Sequence, residues 1–425
     1  MGEAKEKLGF DATWSMAVGG MIGGGIFSTL GVVVTIAGPL AWLSFLAAGT
    51  VALAAGYAYV KLATHYDEGG GAFTFLEEVG APNVAGSLAW VLIVGYVLTN
   101  AVYAFTFGQY LGNVVDLGPW FPRATAVAIT AAFVGLNLRG VGEAGGVEVF
   151  LVWFKIVVLV ALATFGLAHW DPPMLSRGVD SPGIGAALFG AASIFMAYEG
   201  FQLLAYDYED VHEPKRTLPR AVIAAIVVVI GVYVLVALGT AMLIGADAIV
   251  EHEEVALAVA GREALGTTGL VVVTIAAAFS TGSAINATLF ATARLTHRVA
   301  QKKQLPAQLD HENRKGVPDR AVIGLGVGAG VLAAFGTLTS LVEAASLAFL
   351  VTFAIVCGLA FHARAGSRVV TGYGALAAAA ATVGLVVRLV ETDPWALAML
   401  VALVVAAIVA RPFVLRWTGT GAKNS

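Results

Sequence analysis

The sequence predicts an all-α polytopic membrane protein, and three observations carry that prediction. Hydrophobic residues make up 59% of the 425 positions and charged residues only 12%, where an ordinary soluble chain carries about 25% charge. Such a chain has too little polar surface to stay in water. The charges also cluster between apolar runs of roughly 18 to 25 residues, the length that crosses a bilayer core. Two of those runs are interrupted by glycine, which weakens a helix where lipid offers no water to satisfy loose backbone groups.

About twelve spans follow in order, over 12–35, 38–64, 84–115, 122–138, 146–168, 184–208, 220–245, 268–297, 320–336, 340–363, 370–389 and 394–411. Polar connections fall at 65–83, 169–183, 247–267 and 298–319, and no stretch reads as a separate soluble domain. With the N-terminus placed in the cytoplasm, 19 of the 24 Lys and Arg residues lie in cytoplasmic segments. Arg123, Arg177, Arg262 and Arg388 fall in outer loops, and Lys155 lies within a span. This asymmetry predicts that both termini are cytoplasmic, and the expected location is the cell (plasma) membrane, crossed many times. The opening "MGEAKEKLGFDATWSMAVGG" has no short apolar region followed by a small-residue cleavage site, so no removable signal peptide is expected. Trp90, Trp120, Trp170 and Trp395 near span ends read as interface anchors.

Several function classes lose support. The single cysteine, Cys357, excludes an internal disulfide, and the seven histidines are dispersed. "HEEVA" at 252–256 lacks the second histidine of a zinc motif. No P-loop points to ATP, and no His pair, zinc motif or serine with a nearby base marks the spans as catalytic. An enzyme, a metal site, a cofactor and a nucleic-acid partner are therefore not expected. "NAT" at 286–288 matches a glycosylation sequon but falls inside the eighth span, where it is sterile.

The first interruption is "MIGGGIF". Glycine costs a helix about 1 kcal/mol per position relative to alanine, so Gly23, Gly24 and Gly25 together invite unwinding. A broken helix leaves a half-helix N-terminus with free N–H groups and a positive dipole end, suited to a substrate carboxylate. The alternative is a small-residue packing face, the reading given to "GLGVGAG" at 324–330. The second interruption is "MAYEGFQ", which sets Glu199 and Gly200 near mid-membrane. A carboxylate there costs roughly 2.5–3.5 kcal/mol on insertion scales and should face protein or water. If spans one to five correspond to spans six to ten, the two breaks occupy matching positions, the best sequence pointer to a transporter site.

At these residues the chain resembles the amino acid–polyamine–organocation (APC) permeases. "IGGGIF" is similar to their first-helix "GxGIF" signature, with Gly24 where a serine is common. "FMAYEGFQ…YEDVHEPKRTLPRA" resembles their sixth-helix pattern. "ARLTHRVAQKKQLPAQLDHENRKGVP" resembles the loop after their eighth helix, around Leu305, Pro306 and Pro318, and "GYVLTNAVYAFTFGQYLGN" also fits. The resemblance implies a leucine-transporter-like fold with discontinuous first and sixth helices. Its two inverted five-helix repeats would cover 1–168 and 184–363, with two extra helices over 370–411. It also implies a substrate carboxylate on N–H groups around Gly23, Gly24, Gly25 and Ile26. The ammonium would sit near carbonyls of Ile22 and of Phe195, Met196 and Tyr198. Two departures stand out: Gly24 removes a hydroxyl, and Glu199 replaces an apolar residue, either extending substrate choice towards cationic side chains or carrying a proton. Tyr96, Asn100 and Tyr103 of the third span are candidates to line the pathway, with interhelical hydrogen bonding as the alternative for Asn100.

Lys155, in "EVFLVWFKIVVLVALATFG", is the other informative charge. It lies too far inside its span to reach an interface by snorkelling, and burial favours the neutral form of a lysine. In some permeases of the resembled family a fifth-helix lysine replaces the sodium ion of sodium-coupled relatives. Lys155 would then contact first-helix carbonyls near Gly19 and Gly20 and hydroxyls such as Ser280 or Ser283. The expected function is secondary active amino acid transport by alternating access. Proton-coupled uptake is weighed first, sodium-independent exchange second and sodium coupling last. A non-transporting amino acid sensor is a more distant reading.

Overall fold

The computed structural model describes residues 7–115, 117–140, 145–206, 208–394, 397, 398 and 401. The first span is two helices, α1 (Phe10–Ile22) and α2 (Gly25–Ala37), separated at Gly23 and Gly24. Then come α3 (Ala41–Tyr66), the short α4 (Gly71–Glu78), α5 (Pro82–Gly112), α6 (Phe121–Leu138) and α7 (Gly145–Leu167). Pro82 and Pro122 open α5 and α6, where a missing N–H removes no helical bond and the fixed φ favours the first turn. The second half begins with α8 (Ile184–Ser193), followed by 3-10 segments at Phe195–Tyr198 and Phe201–Ala205. It continues with α9 (Pro214–Glu251), α10 (Ala256–Gln301), α11 (Asp319–Phe335), α12 (Leu338–His362) and α13 (Arg368–Thr392).

Eight stretches among the described residues are long and apolar enough to cross a membrane, the first of them, Phe10–Tyr66, holding α1, α2 and α3 together. The expected span at 394–411 lies almost wholly outside the described residues, as do Trp395, Lys5, Arg411, Arg416 and Lys423. Two details differ from expectation. The sixth span is broken as expected, but α8 already ends at Ser193 and the segments that follow are 3-10 rather than α. The 247–267 connection is mostly helical. Gly245 (φ +80°) breaks α9 just before it and Gly266 (φ +59°) breaks α10 within it, leaving short helical pieces between the two kinks.

Packing partners repeat between the halves. α1 packs on α9 as α8 packs on α3; α1 on α7 as α8 on α12; α5 on α12 as α10 on α7; and α5 on α6 as α10 on α11. The pairs α3–α9, α5–α10 and α6–α11 map onto themselves under the same exchange. Small residues permit close approaches here: a Cβ on Gly108 of α5 would lie 2.1 Å from Pro122 O of α6, and one on Gly326 of α11 2.2 Å from Val134 Cγ2 of α6. On α7, Trp153 and Val157 point outward at 53% and 61% exposure while Lys155 between them is 1% exposed. The lysine therefore faces the bundle.

One end of the bundle gathers the basic segments. There Leu8 N–H donates to Asp210 O and Leu8 O accepts His212 N–H, both at 2.8 Å. Asp67, at the end of α3, accepts Lys215 Nζ and Tyr208 Oη at 2.9 Å each, and Arg298 donates to Gly69 O at 3.0 Å. At the opposite end Arg177 grips Asp247 at 2.8 Å and also donates to Ile244 O, fastening the Gly245 kink.

Candidate substrate site

The two helix breaks meet inside the bundle. Gly200 has φ +130°, and a Cβ there would lie 2.5 Å from Gly20 C; a Cβ on Gly20 would lie 2.9 Å from Gly200 Cα. Glycine is required on both sides because backbone touches backbone.

A helix end leaves its last four carbonyls without helical partners, and the protein supplies a donor to each at the end of α1. Gly19 O accepts Lys155 Nζ at 3.1 Å, and Gly20 O accepts Gly23 N–H at 3.3 Å. Met21 O accepts Tyr233 Oη at 2.6 Å, and Ile22 O accepts Ser280 Oγ at 2.6 Å. The donors come from α7, the turn itself, α9 and α10. The Tyr233 hydroxyl also lies 2.8 Å from Ala197 O in the second break. One hydroxyl thus ties both breaks together, and a Cβ on Gly25 would fall 2.3 Å from it. Gly24 is the N-cap of α2, so the N–H groups of Gly25 and Ile26 open the new helix without a carbonyl one turn earlier. A Cβ on Gly24 would sit 2.0 Å from the Tyr103 ring. That ring fills the place where the resembled family usually has a serine side chain.

In the second break Glu199 is buried at 1% exposure. Its Oε2 accepts Tyr103 Oη at 3.2 Å and its Oε1 accepts Gln202 Nε2 at 3.1 Å, two neutral donors. Gln202 is oriented by Gly200 N–H, which donates to its Oε1 at 3.0 Å. Gln202 Nε2 also donates to Tyr96 Oη at 3.3 Å, and Tyr96 Oη lies 3.4 Å from Tyr206 Oη. Polar contacts thus run from the carboxylate toward the basic end of the bundle.

The sequence-predicted residues therefore cluster, with differences in detail. Gly20 O is occupied by the Gly23 N–H, and Ser283 turns its hydroxyl to Ser280 O at 3.1 Å on its own helix. Asn100 Nδ2 donates to Tyr96 O at 3.1 Å within α5, while its buried Oδ1 has no partner among the described residues. Tyr198 directs its hydroxyl to Phe45 O of α3 at 2.7 Å, and Phe195 packs edge-on against Phe353. Met196 is fully buried in the core. Asn286, the sequon residue, accepts Asn137 Nδ2 of α6 at 2.9 Å inside the bundle. Sequence reasoning missed Tyr233 and Gln202, because a tyrosine or glutamine in an apolar helix carries no signal of its own.

An all-helical bundle with two broken helices crossing at its centre, lined by a buried lysine and a buried carboxylate, defines a membrane transporter. The family profile described as Amino acid permease matches residues 8–420, and the chain belongs to that family. It is 32% identical to an uncharacterized protein of Methanocaldococcus jannaschii over 71% of this chain and 70% of that one. It is 32% identical to the inner membrane transport protein YbaT of Escherichia coli over 71% of each chain. Over 71% of this chain and 70% of the other it is 25% identical to the serine/threonine exchanger SteT of Bacillus subtilis.

Proposed function

We propose that the protein is a secondary active transporter that carries amino acids into the cell by alternating access, coupled to protons. The observation that carries the coupling is the buried Lys155 ammonium on Gly19 O, inside the first break. A cation built into the protein at that carbonyl makes a sodium ion there unnecessary. Loss and return of its proton then link the site to pH. The substrate carboxylate binds the opening N–H groups of α2 around Gly24, Gly25 and Ile26, with the positive end of that half-helix behind them. The ammonium binds carbonyls of Ile22 and of Phe195, Met196 and Tyr198, and Glu199 faces the remainder of the pocket.

The repeated packing partners support two corresponding halves, read from the sequence as 1–168 and 184–363, with α13 following them; the last expected helix, ending at 411, lies almost wholly outside the described residues. The basic residues gathered at one end support a plasma-membrane orientation with that end, and both termini, in the cytoplasm. The name of one relative, a serine/threonine exchanger, favours a second reading: sodium-independent exchange, with Lys155 a fixed structural cation. Substituting Lys155→Met separates the two. Proton coupling predicts that K155M uptake loses its response to external pH between 5 and 8; an unchanged pH response would assign the lysine to structure.

A further inference from the structure

Helix α12 carries a buried carboxylate outside the site described above. Glu343 is 1% exposed. Its Oε1 accepts Arg388 Nε of α13 at 2.8 Å and Ser193 Oγ at 2.9 Å. Ser193 is the last residue of α8, where the second break begins. One turn further along α12, Ser346 donates to Ser193 O at 2.7 Å and accepts Met196 N–H at 3.0 Å.

Those bonds replace the ones the break removes. In a continuous helix Met196 N–H would reach Ala192 O, and Ser193 O would accept Ala197 N–H. Ala197 N–H has instead turned to Ile194 O at 2.9 Å. Unwound backbone inside a membrane needs partners from the surrounding protein, and Ser346 supplies both with one hydroxyl. Glu343 lies three residues before it on the same helical face and adds a third attachment through the Ser193 side chain. Arg388 then connects this strip to α13.

We propose that Glu343, Arg388 and Ser346 are positioning residues for the amino-acid site. Together they fix the end of α8, and through it the direction of the carbonyls over Phe195–Tyr198 that receive the substrate ammonium. This inference rests on the reading of those carbonyls as the ammonium site. It also gives α13 a part in substrate binding, since its arginine holds the carboxylate that holds the break.

Uptake kinetics in proteoliposomes, paired with melting temperatures, test it on Ser346→Ala, the double variant E343Q/R388M and Arg388→Lys. The double variant removes both charges at once, so no lone buried charge confounds folding. We expect KM to rise about five- to tenfold in S346A and in E343Q/R388M, the scale of one lost buried hydrogen bond. Vmax stays within about twofold, and R388K recovers part of the affinity by keeping the charge. Unchanged KM in S346A and the double variant, with only the melting temperature lowered, would reduce the strip to a structural role and overturn the proposal. A raised KM in S346A alone overturns the part given to the ion pair. If the unaltered protein shows no saturable amino-acid uptake in the same vesicles, the reading of the site itself fails and takes this inference with it.

Discussion

Gly200 is the position where a single methyl group should matter most. Its φ of +130° is closed to residues with a side chain, and the added carbon would lie 2.5 Å from Gly20 C. Backbone strain of that kind costs about 1–3 kcal/mol before any clash is counted. Gly200→Ala should therefore lower kcat/KM for uptake by more than about tenfold. Gly231→Ala is the matched control, since nothing lies within 4 Å of its would-be Cβ; equal uptake by the two variants would remove the close crossing from the account. The residues legible in the sequence were those that contradict a membrane helix: Gly23, Gly24 and Gly25, Glu199, and Lys155. Each is costly in lipid unless something nearby needs it. Tyr233 and Ser346 stabilise the same breaks but are compatible with any apolar helix, so only the fold reveals them.

At the scale of elements, both breaks were legible, but not the form of the second. Glu199 and Gly200 marked its centre, whereas the 3-10 turns on either side of it depend on Ser346 of α12 before the centre and on Gln202, within the second turn, after it. The helical pieces within 247–267 were hidden for a related reason: their polar composition matches a loop, and Gly245 and Gly266 suggest breaks without saying what lies between them. The latch at the basic end yields a pH prediction. Lys215, with Tyr208 beside it, holds the Asp67 carboxyl below its ordinary value. A carboxyl lowered in the folded state contributes stability above its unfolded value, near 4, and loses it as pH falls through the lowered value. Between pH 5 and 8 the Asp67 carboxylate stays charged throughout. Asp67→Asn should therefore leave the shape of the pH profile of uptake unchanged across that window, measured in vesicles at fixed substrate. A shifted profile would move the proton-sensing group to the turn at the basic end of the bundle.

At the scale of the whole molecule, the family resemblance implied two corresponding halves, and the packing partners of the helices repeat between them. What composition could not supply was how helix α13 engages that core; its ion pair to Glu343 depends on two residues 45 positions apart. The central claim is that a buried cation at the first break couples amino-acid movement to protons. Its most direct test is uptake of a mixed amino-acid panel into proteoliposomes with an imposed inward proton gradient and no sodium. The account predicts concentrative uptake that a protonophore abolishes. Flux only when the vesicles are preloaded with amino acid would contradict it, and would make the protein an exchanger with a fixed lysine.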